Sequence, residues 1–284
     1  MLTKERENQV VELCRKLIMK QSYSGQEDGV AGALEEALKE LGFDSVNVDK
    51  YGNVIGCIKG KRPGKKLLFD GHIDTVPVTD ETEWKYPPFA AEIHDGKIYG
   101  RGTSDMKGAV AAFVSAAANF AQDTDRDFAG ELYVAGVVHE EGFEGVAARE
   151  ISKAVCPDYV VIGEASTLNL KVGQRGRGEI VVETFGKPCH SANPEKGINA
   201  VYKMAKVIEA IRTLEPTHHP VLGDGILELT DIKSAPYPGA SVVPEYCRAT
   251  YDRRLLVGET KECVLVPLQK LMDQLMAEDP QVKV

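Results

Sequence analysis

The sequence predicts an α/β protein in two domains, and three observations predict it. Short apolar runs at 67–69, 131–138 and 159–162 alternate with helical patterns, and each run leads into histidine or acidic residues. Strands and helices alternating in this way build a layered sheet, whose sites gather beyond the carboxyl ends of the strands. After Gly173 the order becomes strand, helix, strand, strand, helix, a ferredoxin-like βαββαβ pattern without its last strand. The glycine-rich joint Gln174-Arg-Gly-Arg-Gly178 lies between, so the domains are expected at 1–173 and 174–284.

Taken in order, residues 3–19 carry Val10, Val11, Leu13, Cys14, Leu17 and Ile18 at helical spacing. Ser24-Gly-Gln-Glu27 reads as a capping box for a second helix that runs to Leu41 and stops at Gly42. Strands are expected at 46–48 and 53–58 around Tyr51-Gly52, with 59–65 as an exposed turn before the 67–69 strand, itself buried on both faces. Residues 84–89, with two prolines, read as a loop, and 93–99 as a hairpin around Asp95-Gly96. A small-residue helix follows at 109–120. In the second domain the expected elements are strand 179–185, helix 197–214, strand 225–233, strand 245–256 and helix 259–276.

Composition narrows the function. At 284 residues the chain has room for two domains and a sizeable core. A net charge of −9, with no basic cluster beyond 59–66, argues against nucleic acid and anionic membrane as main partners. Part of the acidic excess can serve a site that holds cations. No segment approaches the ~20 apolar residues of a membrane span, and the charged N-terminus leads into a helix rather than a signal-peptide apolar region. The six cysteines are scattered and form no Cys-x-x-Cys, which reads as reduced thiols in a cytoplasm. No internal repeat or low-complexity stretch is visible.

His72 and Asp74 leave the same face where the 67–69 strand ends, because side chains alternate along a strand. An imidazole that binds a metal through one nitrogen, with a carboxylate fixing the other, uses this arrangement. Taken alone, the pair reads more readily as a structural hydrogen bond. Gly100-Arg-Gly-Thr-Ser-Asp-Met-Lys-Gly108 resembles a nucleotide loop, but Asp105 stands at the third glycine position and would repel a pyrophosphate. The same geometry suits a metal-binding carboxylate near a helix start. With His139-Glu-Glu-Gly142 and Gly163-Glu-Ala-Ser166, the strand ends bring together His72, Asp74, Asp105, Glu140, Glu141 and Glu164. So many carboxylates repel one another unless cations neutralise them, and a carboxylate-rich set with one imidazole suits a pair of divalent ions such as zinc, cobalt or manganese.

These four motifs, with Gly71-His-Ile-Asp-Thr-Val-Pro77 first, occur in order and cover essentially the whole chain. Together they resemble the two-metal amidohydrolase and peptidase family of acetylornithine deacetylase, succinyl-diaminopimelate desuccinylase, aminoacylase and glutamate carboxypeptidase. The resemblance implies a mixed-sheet catalytic domain with an inserted ferredoxin-like lid that pairs two subunits into a homodimer. It implies that His72 and Glu164 bind one metal and Glu141 the other, with Asp105 bridging. Asp74 would support His72, and Glu140 would act as general base on a water activated by both ions, zinc first among them. The expected substrate is an N-acyl amino acid or short peptide cleaved next to a free carboxylate. Glu rather than Asp at 164 goes, by resemblance, with deacylases and carboxypeptidases.

Two lid features extend the likeness. Pro188-Cys-His-Ser-Ala-Asn-Pro194 looks like the family loop whose histidine, here His190, reaches the partner subunit's site and steadies an oxyanion; Cys189 reads as packing. Asp252-Arg-Arg254 matches the family's Asp-x-Arg, with Arg254 as a bidentate clamp for a substrate carboxylate and Arg253 pointing the other way. A surface salt bridge accounts for Arg254 nearly as well. Ser241-Val-Val-Pro244 stands where the family has asparagine before Val-Ile-Pro, which leaves that substrate contact open. The chain ends at Val284, where the last lid strand would begin and before the returning segment with a further histidine ligand. A fragment of a longer protein, impaired as it stands, is therefore expected. The alternative is a truncated, non-catalytic relative acting as a dimerising or binding module.

Overall fold

The computed structural model describes residues 3–143 and 145–284. They divide into two compact units, Met1–Asn169 and Leu170–Val284, where the sequence places the boundary at 173/174. The first unit is α/β. Its helices are α1 (Lys4–Ile18), α2 (Asp28–Glu40), α3 (Gly108–Asp123) and α4 (Val146–Val155). Its strands are β1 (Ser45–Val48), β2 (Val54–Lys59), β3 (Arg62–His72), β4 (Glu92–His94), β5 (Lys97–Tyr99), β6 (Ala129–Val137) and β7 (Tyr159–Ile162). Five of the strands form a mixed sheet in the order β1-β2-β6-β3-β7, antiparallel as far as β6 and parallel from β6 to β7. β4 and β5 make the expected separate hairpin, with Asp95 and Gly96 both at positive φ.

Thr3 caps α1 by accepting the Arg6 amide, and the helix buries Leu13, Cys14, Leu17 and Ile18. These join Leu34, Leu38, Val54, Leu68, Val110, Val114, Val134 and Ile151 in one core. α2 differs from expectation at its start. Glu27 is its cap residue but makes no side-chain capping bond, and Ser24 does not close a capping box. Ser24 instead donates to Asp74, and Glu27 Oε1 accepts from Gly25 N and His139 N, both at 3.0 Å. Two buried carboxylates claim those partners, since an uncompensated buried charge costs more than a frayed helix end.

β3 begins earlier than the sequence indicates. Arg62, read as part of a turn, already pairs with Ala129, and a register irregularity before Lys66 absorbs Pro63 and Gly64. Leu68 is buried, whereas Leu67 and Phe69 on the other face are half-buried, with Phe69 against Phe113 (ring centroids 4.9 Å apart).

The second unit contains β8 (Gly176–Phe185), α5 (Ala200–Ile211), a short hairpin of β9 (His218–His219) and β10 (Gly223–Asp224), β11 (Ile226–Ala235), β12 (Tyr246–Leu255) and α6 (Lys261–Glu278). Its three-stranded antiparallel sheet has the order β11-β12-β8. Val182, Cys247, Ala249 and Tyr251 from the sheet pack with Met204 and Val207 of α5 and Leu268 and Met272 of α6. The glycine-rich joint is partly strand: Gly176, Arg177 and Gly178 pair with Leu255, Arg254 and Arg253. Glycine lowers strand preference without abolishing the main-chain ladder, and β12 supplies the partners. No helix among the described residues is long and apolar enough to cross a membrane.

Candidate metal centre

The carboxyl ends of β3, β6 and β7 face the same side of the first unit, because these strands run parallel. β3 delivers His72, 2% exposed, and the turn after it delivers Asp74, fully buried. Gly71 makes room for what lies above: a Cβ there would stand 2.8 Å from Met106 Cε and 2.9 Å from Val110 Cγ2. That clearance lets the 103–107 turn and α3 approach the strand end.

His72 Nδ1 lies 3.0 Å from the main-chain oxygen of Asp74. A carbonyl only accepts, so Nδ1 carries the hydrogen and Nε2 is left facing the carboxylates. Nε2 stands 2.9 Å from Asp105 Oδ1 and 3.6 Å from Glu164 Oε1. Burial pulls the ring's pKa down, but the carboxylates of Asp74 and Asp105 outweigh it and push the value up to about 10. The field around Nε2 therefore calls for a positive charge, which a proton or a metal ion supplies.

Asp74 organises the next loop. Its Oδ1 accepts from Glu140 N and its Oδ2 from Glu141 N, each at 3.1 Å, and Ser24 Oγ donates to Oδ2 at 2.7 Å. Burial alone would raise this carboxyl, yet hydrogen bonds to the charged form hold it below its ordinary value. Asp105 comes from an irregular turn opened by Gly102 at φ 86°, and its peptide bond to Met106 is cis. Its side chain is 59% exposed. Burial raises the Glu141 carboxyl, as does Asp105 nearby, against the pull of His72. Below the cluster, burial pushes Asp70 up to about 6.

Ligand-type atoms of His72, Glu140 and Glu164 lie within 4.8 Å of one another, and so do those of His72, Asp105 and Glu141. One imidazole nitrogen and several carboxylate oxygens in reach of a common point fit borderline divalent cations, with zinc, cobalt and manganese all compatible. The six residues read from the strand ends are thus brought together. Glu140, read as a non-ligand, shares a triad with His72 and Glu164, while Glu141 belongs to the other triad. Among the described residues both triads take their imidazole from His72. Elsewhere, His94 pairs with Glu92 and stacks on Tyr86, and His218 pairs with Asp224.

Three supporting residues escape sequence reasoning. Ser22 and Ser24 lie far from the motifs along the chain, and Ser24 reads there as a helix cap. Lys107, inside a recognised motif, is fully buried and donates to Leu17 O at 3.1 Å and Lys20 O at 2.8 Å. Burial pushes its ammonium down to about 8, with Asp74 opposing.

The remaining predicted residues belong to the second unit. His190 is exposed, and its Nδ1 accepts from Ala192 N. Its loop is tied down by Ser191 N to Ser241 O and Val243 N to Cys189 O. The Cys189 thiol donates to Asn193 O rather than to an imidazole. On β12 the alternation is as expected: Arg253 is buried on Glu259 at 2.6 Å, while the half-exposed Arg254 has Nε 2.9 Å from Asp252 Oδ1.

The profile of peptidase family M20/M25/M40 matches residues 68–244. An uncharacterized protein of Escherichia coli K12 is 33% identical over 261 residues, covering 90% of this chain and 64% of that protein. The chain thus spans less than two thirds of that relative's length. A succinyl-diaminopimelate desuccinylase of Cereibacter sphaeroides is 33% identical over 263 residues, 86% of this chain and 67% of that enzyme. Among solved structures, a metallo-carboxypeptidase of the M20 family from Sulfolobus solfataricus superposes with a TM-score of 0.69 at 19% identity, over 96% of this chain and 76% of that one. A dinuclear metal binding peptidase of the M20 family from Bacillus subtilis gives 0.66 at 16% identity, over 98% and 72%. At such identities the structures establish the shared fold.

Proposed function

The chain belongs to peptidase family M20/M25/M40, and from that membership we propose that it is a metal-dependent hydrolase of an amide bond, N-acyl or peptide, next to a free carboxylate. The observation that carries this reading is the gathering of His72, Asp105, Glu140, Glu141 and Glu164 beside the carboxyl ends of β3, β6 and β7, with His72 Nε2 2.9 Å from Asp105 Oδ1 and 3.6 Å from Glu164 Oε1. His72, Glu164 and Asp105 would hold one divalent ion, and Asp105 with Glu141 a second, with zinc the first choice and cobalt or manganese as alternatives. Divalent ions held there would supply the positive charge that polarises a scissile carbonyl and lowers the pKa of an attacking water.

The chain's own residues do the rest. Asp74 holds His72 in one tautomer and fixes the main chain at Glu140 and Glu141, so the two side chains serve different ends of the cluster. Glu140 takes the proton of the attacking water and passes it to the leaving amine, the role of a general base and acid. Arg254 would exchange its Asp252 partner for the substrate's carboxylate, which a guanidinium grips with two parallel hydrogen bonds. His190 would steady the developing oxyanion from the second subunit of a homodimer. Mixing His190→Ala with Glu140→Ala protein tests this, since complementation should restore part of the activity. No recovery despite subunit exchange would remove His190 from the partner's site.

The desuccinylase and carboxypeptidase among the relatives support an acylated amino acid or short peptide as substrate. The test is a panel of N-succinyl, N-acetyl and N-carbamoyl amino acids and dipeptides, with protein stripped of metal and then given zinc, cobalt or manganese. Activity on at least one class, lost with the metal and restored by it, is the expected result. Equal turnover with and without metal would end the proposal.

A further inference from the structure

The segment leaving α1, residues 17–24, grips the His72 turn. Ser22 Oγ donates to Ile73 O at 2.7 Å, Thr75 N donates to Ser22 O at 2.9 Å, and Ser24 Oγ reaches Asp74. Lys107 grips the same segment from the other direction, two residues beyond Asp105. Its Nζ reaches Leu17 O and Lys20 O, while its amide donates to Gly102 O at 2.8 Å. Space around the stem is tight: a Cβ on Gly102 would lie 3.3 Å from Lys107 Cδ and 2.8 Å from Thr75 Cγ2. One short segment therefore carries both His72 with Asp74 and, through a single ammonium, the turn that presents Asp105.

Helix anchoring alone does not require a charge here. An ammonium taken out of water onto main-chain carbonyls loses solvation that a methionine in the same space would not lose. What the ammonium adds over an apolar side chain is its set of donors, which tie two main-chain oxygens at once, Leu17 O and Lys20 O.

Resting on the metal-centre reading above, we propose that Lys107 is a positioning residue of that centre: its clamp on Leu17 O and Lys20 O holds Asp105 in register with His72. Lys107→Met keeps the volume and removes the clamp. In protein shown by circular dichroism to be folded, zinc affinity measured by calorimetry should fall by about tenfold, as for other residues that orient ligands. The visible spectrum of the cobalt-loaded variant should change with it. A purely structural lysine would lower the melting temperature and leave affinity and spectrum unmoved, which would overturn the proposal. Should Lys107→Met fail to fold, Lys107→Gln, which shortens the side chain and removes the ammonium, takes its place. Weaker zinc binding there supports the clamp, and unchanged binding overturns it. Wild-type protein that binds no metal would strike down the metal-centre reading itself, whereas wild-type binding matched by Lys107→Met strikes down the clamp alone.

Discussion

Ser24 and Asp74, 50 positions apart in the chain, meet at 2.7 Å, and the hydroxyl donates to a carboxylate that also caps the amides of Glu140 and Glu141. Asp74 is fully buried, so each of those bonds replaces lost solvation of a charge. Ser24→Ala removes one donor and should cost about 1–2 kcal/mol in urea unfolding. Asp74→Asn should cost more, because an amide group would turn N–H donors toward the Glu140 or Glu141 N–H. Its metal affinity should also drop below that of Ser24→Ala. Equal stability and metal binding in the two variants would show that Asp74 does not organise the loop.

Neighbouring Glu140 and Glu141 fall in different triads around His72, and substitution separates base from ligand. Glu140→Gln should keep metal content near the wild-type value and lose activity by several powers of ten, roughly the 10²–10⁴ of proton transfer or more. Glu141→Gln should lose metal along with activity. If Glu140→Gln loses metal in step with turnover, Glu140 is a ligand and the base lies elsewhere.

The strand ends were legible because alternation and apolar runs are local signals, which put His72, Glu140, Glu141 and Glu164 after apolar runs, while Asp105 was read from the glycine-flanked loop before α3. The supports of these residues were not. Ser24 matches a capping box locally, and only the packed structure shows a buried carboxylate outcompeting the helix end. Pro63-Gly64 and Gly176–Gly178 read as breaks, yet β6 and β12 supply main-chain partners that extend the strands across them. Alternation told Arg253 from Arg254 but not which one the core would take.

That second-unit pair gives a contrast within one strand. Arg253 donates to Glu259, Ile226 O and Arg254 O, and Gly225 leaves the space its guanidinium fills. Arg253→Ala strands the mostly buried Glu259 carboxylate and should destabilise by about 3 kcal/mol, seen as an earlier urea midpoint. Arg254→Ala touches a half-exposed pair and should shift stability by under about 1 kcal/mol. Its effect should fall instead on KM for carboxylate-bearing substrates. Unaltered KM across the substrate panel would return Arg254 to a surface salt bridge.

The acid limb of stability should report Asp44. Its carboxylate accepts from Lys59 N at 2.7 Å and from Arg126 Nη1 at 2.6 Å, while Arg126 Nη2 holds Gly42 O. Burial raises this carboxyl, but the Lys59 amide and the Arg126 guanidinium outweigh it and hold it below its ordinary value. A carboxyl depressed in the folded state binds its proton more weakly than in the unfolded chain, whose value is about 3.9. The stabilisation is therefore complete above about pH 5 and is lost as the pH falls through the folded value. Both side chains are about a third exposed, at 35% each, so solvent screening keeps the gain to about 1 kcal/mol. Asp44→Asn should show that loss in urea unfolding at pH 7, with wild type and variant converging as acid protonates Asp44. A gap that stays constant down to the acid transition would mean the carboxylate's charge plays no part, and that shape or the Arg126 bond to Gly42 O accounts for the difference.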